Sequence, residues 1–360
     1  MSITYLLLLV FALLLSGVGW SEKIKKLNAP LAWLFIYIFS VLIGFRSKYS
    51  GVDTKAYFNY YNDIRDRVTP DFVFESGFKF FTQIMTEVVS VEVYVFTLSF
   101  IQLLLVYLSA KLLKINNKLL AVVVFISFVP GFDMLTNGVR GGMSLTIGLI
   151  ILVLTVINRN RFAVLNFFPS LIHASYAIVA IISLFVRRFS GRKINTLIFA
   201  FSLCFFALWL VVNPLSLLNA FEDVSKQVSY LGRLVRYLII EKELMSLTVK
   251  LYFTVLSISF SCLYFFTLKK DERARDDKVL TRMAFIALSI QFVYALFSFS
   301  QYSYRFMFLA FPLQILMFSY IMDKYFSGVA RNLIVLLICI LGILSTYSTK
   351  SFSSFKLLSL

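Results

Sequence analysis

The stretch that decides the fold is Phe162–Val186, which reads FAVLNFFPSLIHASYAIVAIISLFV. It is apolar nearly throughout and contains Pro169 and His173, the only histidine of the chain. As one span, it would place two basic clusters, at 187–193 and 269–282, outside the membrane, against the positive-inside rule. As two short helices that meet near Pro169–His173, it returns both clusters to the cytoplasm. Each half is too short to cross ~30 Å of hydrocarbon, so we expect the pair at 162–186 to pack inside the protein or line a wet cavity.

The rest of the sequence predicts an all-α polytopic integral membrane protein. The chain is 60% hydrophobic, with a mean hydropathy of +0.86, and apolar runs of about 20 residues recur along it. The predicted spans are 3–20, 29–45, 93–113, 119–134, 142–157, 194–213, 246–268, 279–299, 305–323 and 331–349. With the short pair they make about 12 transmembrane helices, both chain ends outside, in a single transmembrane domain over 1–360. This topology places more than half of the 35 lysines and arginines in cytoplasmic loops.

Two long segments, 46–92 and 214–245, are then periplasmic loops on the outer side. The second contains an amphipathic pattern, with apolar side chains such as Val224, Val228 and Leu231 on one face. Arg233 and Arg236 lie on the opposite, polar face. A helix of this kind lies along a membrane interface, where the basic stripe contacts either lipid headgroups or a substrate.

Three isolated arginines share the outer face with His173 in this topology: Arg46, Arg140 and Arg305. Helices that start near Gly142, Ala174 and Arg305 direct their N-termini to the same face, and a helix N-terminus favours anions. Guanidinium groups bind phosphate oxygens in a bidentate way. The arrangement favours an anionic, lipid-linked substrate, with Arg140 and Arg305 holding a diphosphate; interface snorkelling is the alternative for either arginine.

A neutral imidazole at His173 can act as a general base toward a sugar hydroxyl. A helix-packing hydrogen bond is the alternative, and the sequence indicates no adjacent acidic partner for this ring. Asp53 is the rival base, or else a turn residue in Gly51-Val52-Asp53-Thr54. The outside tyrosines, including Tyr57, Tyr302 and Tyr304, either stack on sugars or form an interfacial aromatic belt.

The sequence contains no motif typical of a metal or cofactor site. The three cysteines form no CxxC pair or His/Cys cluster, and no acidic DxD pair appears on the outer face. There is no phosphate-binding P-loop. We therefore expect no cofactor, no metal site and no nucleic-acid partner, with membrane lipids as partners.

Five short blocks recur in the order of a known family. They are Phe45-Arg46 with Gly51-Val52-Asp53-Thr54 and Tyr57, Glu75-Ser76-Gly77-Phe78, Asn137-Gly138-Val139-Arg140, Leu171-Ile172-His173-Ala174-Ser175, and Tyr304-Arg305 followed by Pro312. Together they resemble the EpsG branch of the Wzy-type polysaccharide (O-antigen) polymerases. One departure is Gly141, where the family usually has Gln.

The resemblance implies a glycosyltransferase with a glycosyltransferase-C-like fold in the bacterial inner membrane. Such an enzyme joins oligosaccharide repeat units carried on undecaprenyl diphosphate at the periplasmic face, in O-antigen or exopolysaccharide synthesis. The resemblance also implies that Asn137 contacts substrate and makes a chain-length regulator protein a candidate partner. The alternatives are an O-antigen ligase-type enzyme, a flippase or transporter of the lipid-linked oligosaccharide, and a membrane acyltransferase.

Overall fold

The computed structural model describes residues 22–50, 53–70, 74–158, 162–211, 247–298 and 303–347. Within these ranges the regular elements are helices. The α-helices are α1 (Glu22–Gly44), α2 (Thr54–Arg65), α3 (Ser76–Thr86), α4 (Val91–Leu112), α5 (Lys118–Ser127), α6 (Val129–Thr136), α7 (Val139–Ile157), α8 (Ala177–Leu184), α9 (Val186–Phe189), α10 (Arg192–Val211), α11 (Leu247–Lys270), α12 (Glu272–Asp276), α13 (Lys278–Phe297), α14 (Tyr304–Lys324) and α15 (Gly328–Tyr347). A 3-10 helix covers Ala163–Leu171, and a 3-10 turn covers Ala174–Tyr176.

Eight of these helices are long and apolar enough to cross a membrane: α1, α4, α7, α10, α11, α13, α14 and α15. The multi-pass, all-helical prediction is therefore confirmed, and the predicted spans match these helices with ends that differ by a few residues. The segment 46–92 contains α2 and α3. The predicted span 3–20 and the predicted loop 214–245 lie outside the described residues.

The predicted single span 119–134 is wrong in one respect, because it is broken in the middle. α5 and α6 meet at an angle of 83°, and Phe128 between them has an extended backbone. Pro130 has no N–H to continue the hydrogen bonds of α5, but it is well suited to the first turn of a new helix. α6 ends at Thr136, directly before the turn that leads to Arg140.

The stretch 162–186 forms two short elements with a break at Ile172–His173, as the sequence predicts, although the first is a 3-10 helix instead of an α-helix. Ser144 of α7 donates to the carbonyl of Pro169 (2.8 Å). Asn166 is fully buried and donates to Thr155 Oγ1 and Ser183 Oγ. These bonds satisfy polar groups at membrane depth, where an unpaired group would be costly.

Gly148 of α7 is a point of close packing against the stretch 162–186. A Cβ at this position would clash with the ring of Tyr176, which is buried and donates to Asn166 Oδ1 (3.4 Å). We expect Gly148→Ala to lower the free energy of unfolding by about 1–3 kcal/mol through overpacking. Thermal unfolding in detergent measures this, with Gly191→Ala as the control, since a Cβ at Gly191 meets nothing within 4 Å. Equal melting temperatures for both variants would contradict the tight packing.

The chain divides into two compact units, Met1–Leu184 with Ile315–Leu360 and Phe185–Gln314. In the first unit α4 packs against α1 and α7, and α7 packs in turn against the 3-10 helix. In the second unit α13 packs against α10 and α11. Helix caps contribute in both: Asn117 accepts from Leu120 N–H at the start of α5, and Asp277 accepts from Val279 N–H at the start of α13. The single domain over 1–360 stays a prediction.

Candidate active site

Two side chains from separate parts of the first unit, Arg140 and His173, meet at one carboxylate, that of Glu75. Arg140 Nη1 donates to Glu75 Oε2 at 2.6 Å. His173 Nδ1 lies 3.3 Å from Glu75 Oε1, and the same oxygen accepts from the Ala174 N–H at 3.2 Å. Glu75 is the residue before α3, Arg140 lies in the first turn of α7, and His173 is the break residue before the 3-10 turn. The cluster therefore joins the starts of three helical segments.

Two glycines allow these segments to approach so closely. A Cβ at Gly77 would lie 2.8 Å from the carbonyl oxygen of Leu171, so only glycine lets the start of α3 pack against the end of the 3-10 helix. A Cβ at Gly141 would lie 3.3 Å from His173 Cδ2 and 3.7 Å from Nε2. The imidazole is thus placed directly against the backbone at the start of α7.

An aromatic frame holds the other side of Arg140. Its guanidinium carbon lies 4.4 Å from the ring centroid of Phe74, a cation–π contact. Its backbone N–H donates to Tyr57 Oη at 3.5 Å, and Tyr57 in α2 packs against Phe74 and Phe78. Burial raises the pKa of Tyr57 to about 12, so this phenol is neutral at physiological pH.

Glu75 is an ionised carboxylate in this setting. Burial alone would raise its pKa, but hydrogen bonds from His173 and from backbone N–H groups, with the charge of Arg140, outweigh burial and lower the pKa to about 2. The stabilising contribution of the ionised form is complete above about pH 4.5, the ordinary pKa, and is lost as the pH falls toward 2. An ionised carboxylate only accepts hydrogen bonds, so Oε1 offers an acceptor to His173 Nδ1.

The cluster is partly open to an incoming molecule. The side chains of Arg140, Glu75 and His173 are 22%, 25% and 31% exposed. Arg140 Nε is buried and has no acceptor among the described residues. A guanidinium with an unused donor beside a helix N-terminus is suited to bind an anion.

Glu75 is the site residue that the sequence analysis missed. The sequence indicates no adjacent acidic partner for His173, and the structure provides one, Glu75, from a position 98 residues away. The helix that carries Arg140 begins at Val139 and not near Gly142, so Arg140 lies within its first turn. The signal available in the sequence was the block Glu75-Ser76-Gly77-Phe78, in which a glycine lies two residues after an acidic residue.

Three other predicted site residues belong to the first unit: Arg46 and Asn137 are buried, and Asp53 is exposed. Arg46 is 1% exposed, and it donates to the carbonyls of Ile43 and Thr136; a side chain this buried contacts a substrate only after rearrangement. Asn137 is also buried, and its amide donates to Asp133 Oδ1 at 2.7 Å. Asp53 is exposed at the start of α2. Their roles in binding and catalysis stay predictions.

The remaining predicted residues belong to the second unit or lie outside the described residues. Arg305 is exposed in the first turn of α14. Tyr304 stacks on Phe253, with ring centroids 5.9 Å apart. Arg233, Arg236 and Tyr302 are outside the described residues. In the described part of the chain no group of three or more His, Cys, Asp or Glu side chains is placed to hold a metal ion.

A family model described as the EpsG family matches residues 31–358. The chain belongs to the EpsG family. This membership confirms the resemblance and associates the protein with glycosyltransferase-like polysaccharide polymerases. Searches of curated proteins and of solved structures found no match. The EpsG family assignment covers every residue of the Glu75–Arg140–His173 cluster.

Proposed function

We propose that this EpsG family protein is a polysaccharide polymerase. It joins undecaprenyl-diphosphate-linked oligosaccharide repeat units by metal-independent, inverting glycosyl transfer at the periplasmic face of the inner membrane. The observation that carries the proposal is the cluster of Arg140, Glu75 and His173 at three helix starts. A cation and a base side by side, partly exposed at the ends of apolar helices, are what transfer from a lipid diphosphate requires.

The reaction is a single displacement at the anomeric carbon. A hydroxyl of the acceptor sugar attacks this carbon, and its proton passes to Nε2 of His173, because Nδ1 is already protonated toward Glu75. The bond between the anomeric carbon and the phosphate oxygen breaks, and undecaprenyl diphosphate leaves with the bonding electrons. Arg140 stabilises the negative charge that develops on the leaving oxygen. Attack opposite the leaving group inverts the configuration.

Several finer parts of the proposal rest on the sequence. Arg305 is proposed as a second cation for the diphosphate. Arg46, Asn137 and Tyr57 are proposed to support substrate binding, Tyr302 and Tyr304 to contact sugars, and Arg233 and Arg236 to contact headgroups or substrate. About 12 spans in a glycosyltransferase-C-like arrangement, with the outer face periplasmic, complete the proposed architecture.

A gene deletion tests the function. We expect the deletion strain to accumulate lipid-linked or lipid-A-linked single repeat units, because ligation and flipping remain intact while repeats are no longer joined. Complementation with the wild-type gene restores a ladder of long chains on a polysaccharide gel. Loss of even the single-repeat form would contradict polymerisation and assign the protein to ligation or flipping.

A further inference from the structure

Glu75 contacts Arg140 with one carboxylate oxygen and His173 with the other. The proposed reaction assigns these two residues different tasks. We propose that Glu75 is a positioning residue with two effects: it holds His173 in the tautomer whose free lone pair is on Nε2, and it occupies Arg140 until a diphosphate displaces it. The inference rests on the proposed function for its meaning in catalysis. Its two physical claims can be tested without any polymer.

The first effect follows from the contacts of Oε1. This oxygen accepts from the backbone N–H of Ala174 at 3.2 Å, and the backbone donor fixes its place beside His173 Nδ1, 3.3 Å away. The carboxylate cannot donate, so the ring donates from Nδ1 and Nε2 is left unprotonated in the neutral ring. Nε2 lies beside Gly141, which has no side chain of its own. An acceptor at Nδ1 that fixes the tautomer of a basic histidine is a recurring device in catalysis.

The second effect follows from the contact of Oε2. Glu75 cancels the charge of Arg140 through a 2.6 Å bond, so an arriving anion must compete with a carboxylate already in place. Both side chains are about one quarter exposed, and the anion can reach them. When a diphosphate takes Arg140, Oε1 keeps its two donors, and the charge of Glu75 then acts mainly on His173. Binding of the leaving group thereby favours the imidazolium that forms as the acceptor hydroxyl loses its proton.

The lone histidine makes the tautomer directly measurable. Protein labelled with ¹⁵N-histidine and purified without a histidine tag gives one pair of ring nitrogen signals, all from His173. We expect a protonated Nδ1 and an unprotonated Nε2 in the wild type at neutral pH. In Glu75→Ala no carboxylate accepts from Nδ1, so we expect the Nε2–H tautomer to appear. A wild-type Nε2–H tautomer, or no change in the variant, would overturn the first effect; the wild-type spectrum requires no variant to fold.

Inorganic pyrophosphate is the probe for the second effect. We expect Glu75→Gln to bind pyrophosphate about tenfold more tightly than the wild type, because a charge-assisted competitor for Arg140 is removed. With lipid-linked repeat units, the same variant should lose about 10- to 100-fold in kcat while KM falls or stays unchanged. Glu87→Gln is the matched control, since Glu87 is exposed at the other end of α3. Weaker pyrophosphate binding, or a rise in KM with unchanged kcat, would refute the second effect.

Failure of the polymerase assignment and failure of the positioning role of Glu75 give different results. If the tautomer and the pyrophosphate result hold but the deletion strain still makes long chains, the positioning role stands and the polymerase assignment falls. If the deletion strain stops at single repeats but the ring signal does not respond to Glu75→Ala, the polymerase stands and the role of Glu75 falls.

Discussion

Arg140→Ala is expected to abolish long-chain polymer while the protein stays in the membrane at the wild-type level. The developing charge on the departing diphosphate loses its nearest cation, and removal of one such donor typically costs about 10²–10³ in rate. Gel profiles of polysaccharide from the complemented deletion strain measure this outcome, with membrane levels followed by blot. Arg140→Lys is expected to restore only part of the rate, because an ammonium group retains the charge but not the planar pair of donors.

Two controls separate loss of the cation from loss of structure. Arg65→Ala removes an exposed arginine that bonds Asp66 at 3.0 Å, and we expect it to leave chain length unchanged. The double variant Arg140→Ala/Glu75→Gln removes the carboxylate that Arg140→Ala leaves unpaired. If the double variant regained long chains, the defect of Arg140→Ala would come from the stranded charge, and the proposed role of Arg140 would fall. Wild-type chain length in Arg140→Ala itself would have the same consequence.

The helical spans were predictable because every segment that crosses a membrane must be apolar over the thickness of the hydrocarbon core. Hydropathy summed over a window of about 20 residues reports this requirement directly. The break between α5 and α6 was missed because the residues around Phe128 remain apolar; the local signal was Pro130. The 3-10 form of Ala163–Leu171 could not be read either, since an α-helix of the same residues has the same hydropathy.

The sequence allowed the types of residue at the site to be predicted, but not which of them contact one another. A lone histidine and isolated arginines in an apolar sequence indicate function because each is costly at membrane depth. The sequence does not reveal which charge meets which. Arg46 looked like Arg140 in the sequence, yet it is buried and bonded to two backbone carbonyls. Glu75 lies near neither partner along the chain, and the start of its helix approaches His173 where Gly77 packs against Leu171.

His173→Ala is expected to lower the rate of undecaprenyl diphosphate release by about 10²–10⁴, the range that general-base catalysis contributes. His173→Gln should show a similar loss, because its amide can still donate to Glu75 but cannot accept the proton of the acceptor hydroxyl. Release of the lipid diphosphate from purified protein and lipid-linked repeat units measures both rates. Normal release in His173→Gln with loss only in His173→Ala would assign His173 a packing role instead.

Asp53 is the rival that this experiment must exclude. It is exposed at the start of α2, whereas the ring of His173 packs against Gly141 within the cluster. We expect Asp53→Asn to retain most activity, as should the control Asp63→Asn on the same helix. A loss in Asp53→Asn that matches His173→Ala, with Asp63→Asn unaffected, would mean that both groups handle the proton. A loss in Asp53→Asn alone would transfer the role of base to Asp53.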